Sequence, residues 1–161
     1  PGGIEIDRAA QKGKPSYKLP RPSVEDHPYD MSFSGLKTAV LNLLNQSKQK
    51  GVEVNKEDLC ASFQLAVCDI LSDRLTLAQE ASGYRKIVLA GGVSANSGVR
   101  ARIASECEKR GFTLYMPPLC YCGDNAAMIG SQAYYEYQAG TRGKTLQNAY
   151  ATADIGKNIC D

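Results

Sequence analysis

Chemistry in this chain concentrates at two places where an apolar run gives way to small and polar residues. The first is Lys86-Ile87-Val88-Leu89-Ala90-Gly91-Gly92-Val93-Ser94-Ala95-Asn96-Ser97. Ile87 to Ala90 read as a buried strand, because a short continuous aliphatic run suits a central sheet position. Gly91 and Gly92 let the backbone turn sharply and come close to another object. Ser94 and Asn96 stand at the start of a helical pattern, where backbone N–H groups and the positive end of the helix dipole attract anions. That order makes a cradle for a phosphate or a polar ligand. The same residues also make an ordinary strand-to-helix turn with Ser94 as N-cap. The second place is Asp124-Asn125, ahead of Ala126-Ala127-Met128-Ile129-Gly130. Asp124 is either an N-cap, with ~1 kcal/mol at stake, or a carboxylate aimed at a metal ion or phosphate-bound cation past a strand end.

The elements that must position these residues follow from periodicity. Residues 1–23 are rich in Gly, Pro and Lys, and Pro15, Pro20 and Pro22 predict an extended arm or linker. Leu36, Val40, Leu43 and Leu44 at helical spacing predict a helix over 34–47, broken at Gly51. Asn55 caps a long helix over 56–82, with Asp58 supporting the cap. Its stripe is Leu59, Phe63, Ala66, Val67, Ile70 and Leu77, and Gly83 ends it. A further helix over 95–109 turns Val99, Ile103 and Cys107 inward, and Gly111 terminates it. Residues 112–116 read as a second strand, stopped by Pro117 and Pro118. A helix over 125–138 and a turn-rich tail complete the chain. Alternating helix and strand predict an α/β fold. Two strands are few for a sheet, so others belong to the arm, the tail or a preceding N-terminal part.

Bulk properties narrow the class. A formal charge of +2 does not by itself argue for nucleic acid. Arg102 and Glu106, then Glu106 and Arg110, are spaced to pair along a helix. No apolar run approaches the ~20 residues that span a bilayer, and no signal-peptide pattern is present. The chain opens Pro1-Gly2-Gly3 without an initiator Met and reads as a piece of a longer one. Of the six cysteines, Cys60, Cys68 and Cys107 fall on helices as small hydrophobes, and Cys120 and Cys122 form a weak metal motif. This usage predicts a reducing, cytoplasmic setting. The single histidine, His27, precedes Pro28 in a loop and reads as solvated.

Four motifs in order along the chain carry a resemblance. They are Pro1-Gly2-Gly3 followed by Asp7; Ser32-Phe33-Ser34-Gly35-Leu36-Lys37-Thr38; Ala90-Gly91-Gly92-Val93-Ser94-Ala95-Asn96; and Cys122-Gly123-Asp124-Asn125-Ala126-Ala127-Met128-Ile129. With them the chain resembles the C-terminal half of the bacterial tRNA N6-adenosine threonylcarbamoyltransferase family, whose older name is O-sialoglycoprotein endopeptidase or glycoprotease. The resemblance implies a helix-rich, ribonuclease-H-like half of an actin/Hsp70/sugar-kinase-type fold in a two-lobed protein. Residues 1–23 would be an arm belonging to the region of the missing lobe, and 24–161 the C-terminal lobe. It implies transfer of a threonylcarbamoyl group from threonylcarbamoyl-AMP to N6 of adenosine 37 in tRNAs reading codons that start with A. It also implies one divalent metal, iron or zinc, held by an HxxxH motif and an aspartate that corresponds to Asp124. Adenylate-binding positions correspond to Gly3, Asp7 and Asn96. A glycine at position 3 would leave room for the nucleotide, and a carboxylate at position 7 would accept ribose hydroxyls. Asn96 offers donor and acceptor together.

The chain departs from the family pattern in three respects, the first being that the family's N-terminal phosphate-binding elements are missing. HxxxH is absent, since His27 is the only histidine, and Gly123 stands where many relatives carry Thr. The expectation is that the chain alone holds metal weakly and does not modify tRNA. Implied partners are tRNA and proteins of the threonylcarbamoyladenosine pathway, with no membrane. A bare inter-lobe face would promote homodimerisation or aggregation. Two other readings stand beside this one. The chain could serve as a nucleotide-binding or interaction module of the actin-like superfamily without catalysis. It could also be a metallopeptidase, as the older family name suggests, although it has no HExxH.

Overall fold

The arm departs first from expectation. Gly2–Ala10 form a helix, α1, with an Arg8 to Glu5 ion pair at 3.1 Å along it and Ala10 buried at its end. The prolines that predict an extended segment begin only at Pro15. In this computed structural model residues 2–143 are described, so Pro1, the tail beyond residue 143 and Cys160 lie outside the described residues. Two compact units divide the chain, Pro1–Gly123 and Asp124–Asp161.

In the first unit the stretch after α1 is extended, as predicted, and runs along a long helix. Helix α2 covers Ser34–Lys50 and helix α3 covers Lys56–Ser82. Asn55 caps α3 by accepting the Asp58 N–H, and Gly83 closes it at φ 71°, a left-handed conformation that glycine adopts without strain. The Asp58 carboxylate does not return to the cap. It accepts from the Lys14 N–H at 2.8 Å and from Ser16 Oγ at 3.3 Å. Asn55 N–H instead donates to the Tyr17 hydroxyl, and Tyr17 N–H to Ser62 Oγ, both at 3.0 Å. At Gly13 the chain passes so close to the Glu57 carbonyl that a Cβ would collide with backbone. Arg21 reaches Asp69 at 2.7 Å, and Arg102 meets the other Asp69 oxygen at 3.2 Å.

A parallel pair of short strands follows. Strand β1 is Lys86–Val88, helix α4 is Ser97–Arg110 and strand β2 is Thr113–Tyr115. Ile87 pairs with Leu114 and Val88 with Tyr115. The expected continuous burial of β1 gives way to alternation. Ile87 is buried, whereas Val88 is 71% exposed and Tyr115 half exposed, so one sheet face is bare. The opposite face packs through Ile87, Cys68, Val99, Ile103 and Cys107 into one cluster. A second cluster joins Leu19, Leu36, Leu59, Ala66 and Ile70. Arm, α2 and α3 thus share one core, and α3, α4 and the sheet share the other. Of the predicted stripe of α3, Leu59, Ala66 and Ile70 are buried, Phe63 and Val67 are half-buried, and Leu77 is exposed. The architecture is helix-rich α/β with a small parallel sheet. No helix of the described residues is long and apolar enough to cross a membrane.

In the second unit helix α5 covers Ala126–Gln138.

Candidate functional site

The glycine turn after β1 is built differently from the predicted one. Gly91 lies at φ 85°, which requires glycine, and Gly92–Ala95 form a 3-10 turn before α4 begins. Ser94 is not the N-cap. Its side chain is buried and its hydroxyl donates back to the Gly91 carbonyl at 2.6 Å, locking the turn. Asn96 is the cap, with Oδ1 accepting the Val99 N–H at 2.9 Å. Its Nδ2 donates to Gln64 Oε1 on α3, also at 2.9 Å. Gln64 lies across Gly98, where a Cβ would come within 2.9 Å of Cδ and 3.0 Å of Cγ. Both polar ends of the Asn96 amide are therefore fixed, and one amide hydrogen is left to donate.

Beside this cap lies Asp7 of α1. One carboxylate oxygen accepts the Ser97 N–H at 3.0 Å and the other accepts Ser97 Oγ at 2.6 Å. Gln11, just past the end of α1, donates Nε2 to the same Oγ at 3.0 Å. Spacing of four residues sets Gly3 and Asp7 on one face of α1, with Gln11 following just past the helix end, and a Cβ at Gly3 would meet only open space. Three sequence-predicted positions thus relate through this geometry: Asp7 touches the residue next to Asn96, and Gly3 leaves bare backbone one turn before it. Asp7 also places a negative charge at the N-terminus of α4 and satisfies its first amide. A carboxylate already compensates that end of the helix, and this corner presents acceptor lone pairs on Asp7 and a donor on Asn96. That pattern suits a vicinal diol.

Arg100, one turn into α4, ties the neighbouring loops. Its guanidinium donates to the Ser94 carbonyl at 3.0 Å and the Pro117 carbonyl at 3.1 Å, and lies 3.7 Å from Cys122 Sγ. Nothing in the sequence marks Gln64. Gln11 and Ser97 carry a fainter signal: Gln11 stands four residues after Asp7, and Ser97 follows the cap.

Asp124 belongs to the second unit. Its side chain is exposed, and the cap of α5 is Asn125, whose Oδ1 accepts the Met128 N–H at 3.2 Å. The capping role predicted for Asp124 therefore passes to its neighbour. Among the described residues no three His, Cys, Asp or Glu side chains gather closely enough to hold a metal ion. His27 is exposed, with Nδ1 4.0 Å from Asp30. A protein-bound transition metal takes three or four protein ligands. One carboxylate does not fit that need, so the donors described in this chain do not make a metal site by themselves.

Residues 1–131 match the family model described as TsaD, tRNA N6-adenosine threonylcarbamoyltransferase. The chain is 46% identical over 156 residues to the tRNA N6-adenosine threonylcarbamoyltransferase of Bacillus anthracis, covering 96% of this chain and 46% of that protein. It is 44% identical over 158 residues to the enzyme of the same name from Clostridium botulinum (strain 657 / Type Ba4), covering 98% and 46%. The Staphylococcus epidermidis enzyme of that name is 44% identical over 155 residues, with 96% and 46% covered. The chain spans about half the length of the curated relatives it matches. By this match, which covers most of its residues, the chain belongs to the tRNA N6-adenosine threonylcarbamoyltransferase family.

Proposed function

We propose that this chain is the adenosine-gripping part of a threonylcarbamoyltransferase, the C-terminal ribonuclease-H-like half of an actin-type fold. The observation that supports it most is the meeting of Asp7 and the Asn96-Ser97 helix start, from segments ninety positions apart. Asp7 accepts ribose hydroxyls through its remaining lone pairs, Asn96 donates its second amide hydrogen, and Gly3 leaves the backbone open to the nucleoside. In the whole enzyme, adenine N6 of tRNA adenosine 37 bonds to the carbamoyl carbon. The bond from that carbon to the AMP phosphate breaks, AMP leaves, and N6 gives up a proton. This chain's part is binding and orientation, in the cytoplasm, with tRNA and pathway proteins as partners.

Asp124 would contribute one oxygen ligand to an iron or zinc ion, with histidine ligands supplied by an HxxxH motif that these residues do not include. A bound metal supplies Lewis-acid polarisation, and no step here depends on it. The test is calorimetry of the chain with adenosine and AMP. Binding that Asp7→Asn and Asn96→Ala each weaken at least tenfold is expected. Binding indifferent to both variants would refute the reading. A non-catalytic nucleotide-binding module is favoured instead if this chain, joined to the remainder of a relative, binds adenosine but leaves tRNA unmodified.

A further inference from the structure

Both oxygens of the Asp7 carboxylate are engaged by one residue. Ser97 donates its backbone N–H to one oxygen at 3.0 Å and its hydroxyl to the other at 2.6 Å. Gln11 donates to the same hydroxyl oxygen at 3.0 Å, which leaves the hydroxyl proton directed at Asp7. The three side chains form a one-way chain of donors from Gln11 through Ser97 to Asp7. A carboxylate gripped at both oxygens cannot rotate freely about its terminal bond, and its remaining lone pairs must point away from Ser97. Bonds to an ionised acceptor are also the shorter and stronger kind.

From this we infer that Ser97 is a positioning residue. It fixes the plane of the Asp7 carboxylate so that the outward lone pairs meet two adjacent hydroxyls of the nucleoside sugar, and so sets a preference for ribose over 2′-deoxyribose. The inference rests on the adenosine-binding reading above. Losing the Ser97 hydroxyl leaves one oxygen of Asp7 untethered. The carboxylate can then turn, and the second sugar hydroxyl loses its fixed acceptor. The backbone N–H, the Asn96 cap and the helix remain.

The experiment compares adenosine with 2′-deoxyadenosine by calorimetry on the whole 161-residue chain, in the wild type and in Ser97→Ala, Ser97→Thr and Asp7→Asn. Exchange of the Val99 amide, which Asn96 protects independently of the Ser97 hydroxyl, reports that the helix start is intact. The wild type is expected to prefer adenosine. Ser97→Ala should reduce that preference about tenfold, roughly the loss of one charge-assisted hydrogen bond, while 2′-deoxyadenosine binding changes little. Ser97→Thr, which restores a hydroxyl, should restore the preference. A general loss of stability would weaken both nucleosides alike and leave their ratio unmoved, and would count against a positioning role. The inference is overturned if Ser97→Ala keeps the wild-type preference while Asp7→Asn loses it. Nucleoside binding that Asp7→Asn does not affect, or no binding at all, overturns the adenosine reading itself and this inference with it.

Discussion

At the scale of single residues, Asn96 has two separable duties. Its oxygen caps α4, and its nitrogen donates to Gln64 and, in the proposed site, to the nucleoside. Asn96→Asp keeps an oxygen for the Val99 N–H, and the Gln64 amide can turn to donate to the other one. Thermal unfolding should then shift by no more than ~0.5 kcal/mol, since Asp and Asn cap almost equally well, while adenosine affinity falls at least tenfold. Equal losses in both measurements would show the duties to be one. Cys68 gives a second prediction. Burial, reinforced by the neighbouring Asp69 charge, pushes its thiol up to about 11 from an ordinary 9.0. The folded state therefore favours the neutral thiol. That contribution to stability is fully present below pH 9 and is lost as pH rises towards 11. Melting temperature should fall across that range, and Cys68→Ala should flatten the decline. A decline of the same steepness in the variant would assign it to other groups.

At the scale of elements, the sequence marks helix ends better than it marks what precedes them. Asn55, Gly51, Gly83 and Gly111 stand at the caps where they were expected, because the left-handed turn after a helix has a strong chemical preference. Helix α1 was hidden by its neighbours. Prolines follow it closely in sequence, and what holds it to the fold is Ala10 burial and the Asp7 contact with Ser97, both tertiary. Asn96 takes the cap expected of Ser94 for a related reason. Two polar residues spaced two apart can each cap a helix, and only the left-handed Gly91 and the 3-10 turn after it decide between them. The sharpest constraint on an element is Gly13, pressed against the Glu57 carbonyl at the start of α3. Backbone cannot step aside as a side-chain tip can. Gly13→Ala is expected to cost on the order of 2 kcal/mol in chemical denaturation, and an unchanged midpoint would show that the arm can lift away cheaply.

For the molecule as a whole, the motifs carried the family, and periodicity carried a helix-rich α/β fold, but neither carried the arrangement of side chains around Asn96. The motifs single out Asp7, Asn96 and Gly3, whereas the contacts that Gln64, Gln11 and Ser97 make with Asp7 and Asn96 depend on packing that no spacing encodes. The donor set described here leads to a whole-chain prediction. Titration with zinc or ferrous ion should give no micromolar binding that Asp124→Ala abolishes, and such binding would show that the chain completes a site unaided. The contact between Asp7 and Ser97 joins the first helix to the second half of the first unit across ninety positions. Any nucleoside gripping both sides of that seam would act as a clasp on chain closure. Its binding energy would be drawn upon whenever the N-terminal third tries to peel off. Recognition and cohesion would then be one event, and trypsin cleavage at Lys12 or Lys18 would slow whenever the site is filled.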